Sequence, residues 1–202
     1  MRIGPKYKIA RRLGAHLFDK TQTPKFALAK SRRGDRIGRP GAATDFGSQL
    51  LEKQRVRLSY GVLERQFKRY VNDITKKRGK NHAEQLYQKL ETRLDNAVYR
   101  LGFAKSRMAS RQLVSHGHIT VNSKRTTIPS YNLEIGDQIA IREGSRSKGV
   151  FTNLEEDLKE KLIPLWLKLD LSKKEGKVVN LPPLSPGQSV FDLSTVIEFY
   201  RR

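Results

Sequence analysis

Cations crowd the first three quarters of this chain and then stop being in excess. Residues 1–45 carry 12 basic and 3 acidic side chains, 46–91 carry 11 and 5, 92–152 carry 10 and 4, and 153–202 carry 8 and 8. The net charge of +21 attracts any polyanion. A general solubility device would not end near residue 152. The first three segments are therefore expected to face a polyanion, and the last to pack on them or to meet protein. Membrane phospholipid is the weaker candidate, because the cations spread over 152 positions instead of lining one amphipathic helix.

The remaining composition narrows the class. The 202 residues suffice for one full domain and a smaller one. There is no cysteine, which removes disulfides, thiolate metal sites and Cys nucleophiles and suits a reducing compartment. No apolar run approaches the roughly 20 residues of a membrane span, and the N-terminus starts no signal-peptide apolar region. The expectation is a soluble, intracellular protein.

Four segments emerge along the chain. Residues 1–45 mix Gly, Pro, Lys and Arg without period and are expected to be extended and to order on a polyanion, with a helical turn over Lys8 to Leu13. In the helical segment 46–91, Leu63, Phe67, Tyr70, Val71 and Ile74 share a face, and Arg65, Lys68 and Arg69 form a cationic stripe beside it. Gly61 marks a break, and Asn81 is an N-cap. Residues 92–152 read as a compact α+β unit. Leu94, Val98 and Leu101 give a helix ended by Gly102, and Ser106 caps a second helix that Gly117 ends. Two strands follow, His118 to Val121 and Gln138 to Ile141. In residues 153–202, Asn153 and Glu156 have capping-box spacing, Leu165, Leu167, Leu169 and Leu171 alternate in a hairpin, and the tail docks on the body as strand or helix.

The stretch "SRMASRQLVSHGHITVN", Ser106 to Asn122, poses the chemical question. Ala109 and Leu113 stand one turn apart, as do Arg107 and Arg111, and the two pairs point about 200° apart around a helix. One face is thus buried while the other presents guanidiniums, with Arg100 and Lys105 nearby, suited to bidentate phosphate contacts. His116 and His118 could ligate a metal, but a zinc site needs three or four ligands and only His16 and His82 remain. Contacts to RNA backbone or helix capping fit them better, and no metal or cofactor is expected. Glu155, Glu156 and Asp157 suit a helix N-terminus without acid–base chemistry. "RGDRIGRPG" lacks the Gly-Lys-Ser/Thr end of a phosphate loop.

Ser106, Arg107, Ala109, Leu113, Val114, Gly117, Val121 and Asn122 resemble the RNA-binding module named after small-subunit ribosomal protein four, which pseudouridine synthases and tyrosyl-tRNA synthetases also carry. "GPKYKIARRLG", "TDFGSQLLEKQRVRLSYGVLERQFKRY", "ETRLDNAVYRLGFAKSR" and the terminal "EFYRR" are similar, in order, to the ribosomal protein four family itself. The resemblance implies a mostly helical first domain completed by the C-terminal segment, with the module inserted between them. It implies a non-enzymatic constituent of the small ribosomal subunit that binds 16S-type rRNA early, nucleates assembly of the subunit body, and contributes to translational accuracy with ribosomal proteins five and twelve. The expected location is the bacterial cytoplasm, within the small subunit.

Expected RNA contacts are Lys6, Lys8, Arg11 and Arg12 near the N-terminus, and Lys53, Arg55, Arg57, Arg65, Lys68 and Arg69 in the helical segment. In the module they are Arg100, Lys105, Arg107, Arg111, His116, His118 and Lys124. Arg32, Arg33, Arg36 and Arg39 are assigned to rRNA and to mRNA at the entry channel, and Phe46 and Gln49 to protein five. The rival is a pseudouridine synthase-like enzyme, whose catalytic Asp lies in a Gly-Arg-Leu-Asp motif. Here Thr92 replaces that Gly and "RLD" lies within the module's first helix, so Asp95 is read as structural. The zinc-binding cysteines of some relatives are absent.

Overall fold

The computed structural model describes residues 3–14, 17–18, 21–26, 44–76, 79, 81–146, 148–151, 154, 158, 162–171, 173–184 and 191–201. Two compact units result: residues 1–86 with 185–202, and residues 87–184. The boundary falls inside a helix whose Leu86 and Leu90 are both fully buried.

The first unit is helical. α1 (Lys6–Leu13) begins after Pro5, whose fixed φ suits a helix start, and is a full eight residues. α2 (Asp45–Ser59) is capped by Thr44, whose hydroxyl accepts from the Gly47 N–H at 3.2 Å. Gly61, at φ 62°, separates α2 from α3 (Glu64–Thr75). On α3 the apolar stripe of Phe67, Tyr70, Val71 and Ile74 is buried as its spacing predicts, whereas Leu63 lies before the first turn and is 56 % exposed. α4 (His82–Glu91) follows Asn81, whose side-chain amide donates to Glu84 Oε2 at 3.3 Å. The tail is a helix, α7 (Leu193–Arg201), begun by Asp192, which accepts from the N–H groups of Ser194 and Thr195. α7 packs along α2 and against α3 through Leu193, Val196 and Ile197. Tyr200 donates to Glu64 Oε1 at 2.7 Å, and Lys53 pairs with the same oxygen at 2.7 Å.

The second unit packs two helices on one face of a sheet, the α+β arrangement expected. α5 (Leu94–Arg100) and α6 (Arg107–Ser115) contribute Leu94, Ala97, Val98, Leu101, Leu113 and Val114 to its core. Ser106 caps α6 by accepting from the Ala109 N–H at 3.2 Å. The N-terminal N–H groups of α5 donate to the carbonyls of Tyr131 and Pro129, so the loop before β3 serves as its cap. Strands β1 (Ile119–Val121), β2 (Lys124–Arg125), β3 (Gln138–Ile141), β4 (Leu167–Asp170) and β5 (Glu175–Val178) form an antiparallel sheet of order β2-β1-β3-β5-β4. Asn122 and Ser123 make the two-residue β1–β2 turn with φ of 49° and 64°, the left-handed pair that such hairpins require.

The expected boundaries need one correction. Residues 153–202 do not pack as a block on the helical domain. β5 pairs with β3, Gln138 opposite Lys177 and Ile139 opposite Gly176, so the β4–β5 hairpin extends the module's own sheet. Leu154, Leu158, Trp166, Leu167 and Val178 are buried in that module's core. Only residues 185–202 join the helical unit. Gly176 permits this arrangement, because Leu101, the C-cap of α5, occupies the space a β-carbon there would need. At the hairpin's ends, Leu165 is 97 % and Leu171 48 % exposed, so the alternation buries only its middle. The Asn153–Glu156 capping box and the acids Glu155, Glu156 and Asp157 lie outside the described residues.

Candidate nucleic-acid interface

The basic side chains divide into two populations, one tied into the protein and one left to solvent. In the module, the tied population centres on two buried acids. Glu91 is fully buried and takes two bonds from Arg100, Nε at 2.9 Å and Nη2 at 2.7 Å, plus one from the Asn96 amide at 2.9 Å. Asp95 is 3 % exposed and is gripped by Arg93, Nε at 3.0 Å and Nη2 at 2.7 Å, and by Arg111, Nε at 2.9 Å and Nη2 at 2.6 Å. Arg107 donates from Nε to Asn96 Oδ1 at 2.8 Å and lies 4.7 Å above the Tyr99 ring. The arginine face of α6 is therefore turned onto α5 instead of projecting freely. It remains reachable: the Arg100 side chain is 33 % exposed and that of Arg111 19 %. Lys105 is exposed beside them.

The helical unit shows the same division. Lys53 is 7 % exposed, pairs with Glu64 and lies 4.6 Å above the Phe199 ring. Arg55 donates to the Leu13 carbonyl at 2.7 Å and pairs with Glu52 at 2.9 Å; Arg57 bonds Gln54 at 2.7 Å and approaches Glu64 at 3.3 Å. These three fasten α1, α2, α3 and α7 together. By contrast Arg65, Lys68 and Arg69 are exposed along α3, as are Lys8, Arg11 and Arg12 on α1, and none has a side-chain partner among the described residues. Lys6 lies 5.8 Å over Phe18. Phe46 is 51 % exposed and stacks on Phe199 at 5.5 Å. Gln49 is buried, with its Oε1 lacking any hydrogen bond. Arg32, Arg33, Arg36, Arg39 and His16 lie outside the described residues.

One end of the module's sheet gathers a second group of basic side chains. His118 precedes β1, Arg125 ends β2 opposite Thr120, and Arg142 follows β3 with its N–H on the His118 carbonyl at 2.9 Å. The register thus brings all three to the same edge. The Arg125 guanidinium lies over Gly117, whose φ of 72° and missing side chain admit it; a β-carbon there would sit 2.7 Å from Cζ. His118 Nδ1 is 3.0 Å from Ser145 Oγ, and its ring meets His116 and Phe151 edge-on at 6.1 and 6.3 Å. Burial holds the His118 pKa below its ordinary value, and the positive charges of Lys148, His116, Arg142 and Arg125 press it the same way. Lys124 is exposed at the hairpin.

His116, His118 and Lys124 are expected contacts from the sequence; Arg125, Arg142 and Lys148 join them only in the folded chain. Arg125 adjoins Lys124, and Arg142 and Lys148 lie in one basic stretch with Arg146, a signal that could have found them. The antiparallel register is what brings Arg125 and Arg142 to His118. Among the described residues no group of three or more His, Asp or Glu could hold a metal ion, and no helix is long and apolar enough to cross a membrane.

The module's two helices and its β1–β2 hairpin lie within residues 92–139, which match the family model of the S4 domain, so the chain is of the class of proteins that carry that domain. Residues 1–91 match the model of the ribosomal protein S4/S9 N-terminal domain. Curated relatives named small ribosomal subunit protein uS4 match end to end. That of Chloroflexus aurantiacus is 42 % identical over 208 residues, covering 99 % of this chain and 98 % of the relative. Those of Herpetosiphon aurantiacus and Aquifex aeolicus are 43 % and 41 % identical over 207 residues, each with 98 % of the relative covered. The chain belongs to the uS4 family of small ribosomal subunit proteins.

Proposed function

We propose that this chain is a structural, non-catalytic constituent of the small ribosomal subunit that binds its rRNA directly. The observation that supports this most is the division of cations. Arginines bound to buried acids build the module, while cations with no acidic partner among the described residues remain on α1, on α3 and at the sheet edge, where each phosphate neutralised releases counterions. Such surfaces read phosphate position and helix shape before base sequence. Asp95 supports the non-enzymatic reading: it is 3 % exposed and its carboxylate is held by Arg93 and Arg111, so it does not stand free to attack a base.

The finer reading is that of a primary rRNA binder that nucleates assembly of the subunit body. Phe46 and Gln49 contact ribosomal protein five, the accuracy role is shared with proteins five and twelve, Arg32, Arg33, Arg36 and Arg39 reach mRNA at the entry channel, and the setting is the bacterial cytoplasm. The exposed Phe46 ring and the buried, unbonded Gln49 Oε1 support a partner at that end of α2. The test is sedimentation: the chain should remain with small subunits after a high-salt wash. Recovery in the free fraction, or Asp95-dependent pseudouridine in an rRNA transcript, would overturn the proposal.

A further inference from the structure

Two buried carboxylates at an RNA-facing surface call for a reason, because an acid there weakens the field that attracts phosphate. Fold stability alone is a weak reason. A buried ion pair is often no better than a well-packed apolar replacement. The geometry offers another. Glu91 and Asp95 are one helical turn apart in sequence, and their oxygens hold Arg100 and Arg111 by two bonds each, at 2.6 to 2.9 Å. Asn96 lies between them, donating to Glu91 and accepting from Arg107. Three guanidiniums that would otherwise sample many rotamers are each bonded to an acceptor that is itself buried.

We propose that Glu91 and Asp95 are positioning residues, which aim Arg100, Arg107 and Arg111 at the phosphodiester backbone of the bound RNA. This rests on the proposed rRNA binding. Holding a long side chain before its ligand arrives removes an ordering cost at binding, and Arg's planar fork keeps this advantage where a lysine would not. Asp95 is shared: Arg93, 3 % exposed, serves as its inner anchor, and Arg111 as the outer, solvent-reaching arm. Asp95 therefore couples the RNA-facing side of α6 to the interior of α5.

The inference reverses the sign expected from charge alone. Asp95→Asn raises the net charge by one, so a simple electrostatic surface would bind RNA more tightly; a positioning role makes it bind more weakly. The experiment measures equilibrium binding of the full chain to a small-subunit rRNA transcript at several salt concentrations. Wild type is compared with Asp95→Asn, Arg111→Lys and the control Glu143→Gln, which neutralises an exposed acid of the same unit. Circular dichroism and thermal melting establish that each is folded. Asp95→Asn and Arg111→Lys should each lose about tenfold in affinity, roughly one charge-assisted hydrogen bond. Each should also flatten the salt slope by about one phosphate contact. Glu143→Gln should bind as well as wild type or better. If Asp95→Asn fails to fold, Arg111→Lys decides, since it keeps the charge and its site is partly exposed. Folded variants that match or exceed wild type with an unchanged slope overturn the positioning role. A wild-type chain that does not bind the transcript overturns the rRNA reading itself.

Discussion

Adding one methyl group at Gly176 tests whether the β4–β5 hairpin belongs to the module. A β-carbon there would lie 2.6 Å from Leu101 Cδ2 and 3.0 Å from Cγ, and closer still to Cδ1. Neither side has room to withdraw. Leu101 is fully buried at the C-terminus of α5, and β5 is held between β3 and β4 on both edges. Overpacking a core costs about 1–3 kcal/mol, and the double clamp places Gly176→Ala in the upper half of that range. For a unit of this size the melting temperature should drop by about 10 °C. Trp166 is the only tryptophan of the chain, is 4 % exposed and lies in the same core, so its fluorescence in urea reports this unit. Leu101→Ala alone should cost about 2–5 kcal/mol through the cavity it leaves. In the double variant the new methyl fills part of that cavity, so the combined loss should fall short of the sum by about 1–2 kcal/mol. A Trp166 transition unmoved by Gly176→Ala, or strictly additive losses, would refute the packing and with it the revised boundary.

Two titrations probe the remaining parts. Burial pushes the Glu64 carboxyl up, but the bonds from Lys53 and Tyr200 outweigh it and hold the group below its ordinary value. A depressed carboxylate contributes stability that is complete above its unfolded pKa and is lost as pH falls through the folded one. Acid should therefore loosen α7 first, seen as faster amide exchange there below about pH 4.5, and Glu64→Gln should flatten that dependence; an identical acid profile in both proteins contradicts the Lys53–Glu64–Tyr200 tie. His118 is held below its ordinary value by burial and neighbouring cations, so phosphates seated at that edge should raise it. NMR titration of the ring, free and RNA-bound, checks this, and an unshifted His118 would remove the sheet edge from the interface.

Much of the fold was legible in local chemistry. Ser106 as a cap, Gly102 and Gly117 as stops, and the spacing of Leu94, Val98 and Leu101 act over one or two turns, and each appears where expected. What escaped was non-local. The pairing of Ile139 with Gly176 spans a long connection, and nothing within either strand encodes it. The end of the chain is apolar enough for either element, and docking against α2 and α3 decides for helix. The site was legible as charge but not as geometry. Arg107 and Arg111 were recognisable as one face of α6, yet their acceptors Asn96 and Asp95 stand eleven and sixteen residues away. Lys53, Arg55 and Arg57 read as RNA contacts, and in the folded chain each also bonds a neighbouring helix or side chain, which charge alone does not foretell. A count of positive charges does not distinguish a grip from a fastening.

The most direct test of the central claim is the salt dependence of binding to a small-subunit rRNA transcript, measured for wild type and for a chain carrying Arg125→Ala, Arg142→Ala and Lys148→Ala. Among the described residues these three cations bond no other side chain, so the fold should be unaffected. If the exposed cations are the rRNA contacts, log affinity falls linearly with log salt, and the triple variant is weaker with a slope shallower by about 2–3, at roughly 0.9 per phosphate contact on duplex. Equal affinity and an equal slope in the two proteins would contradict the account.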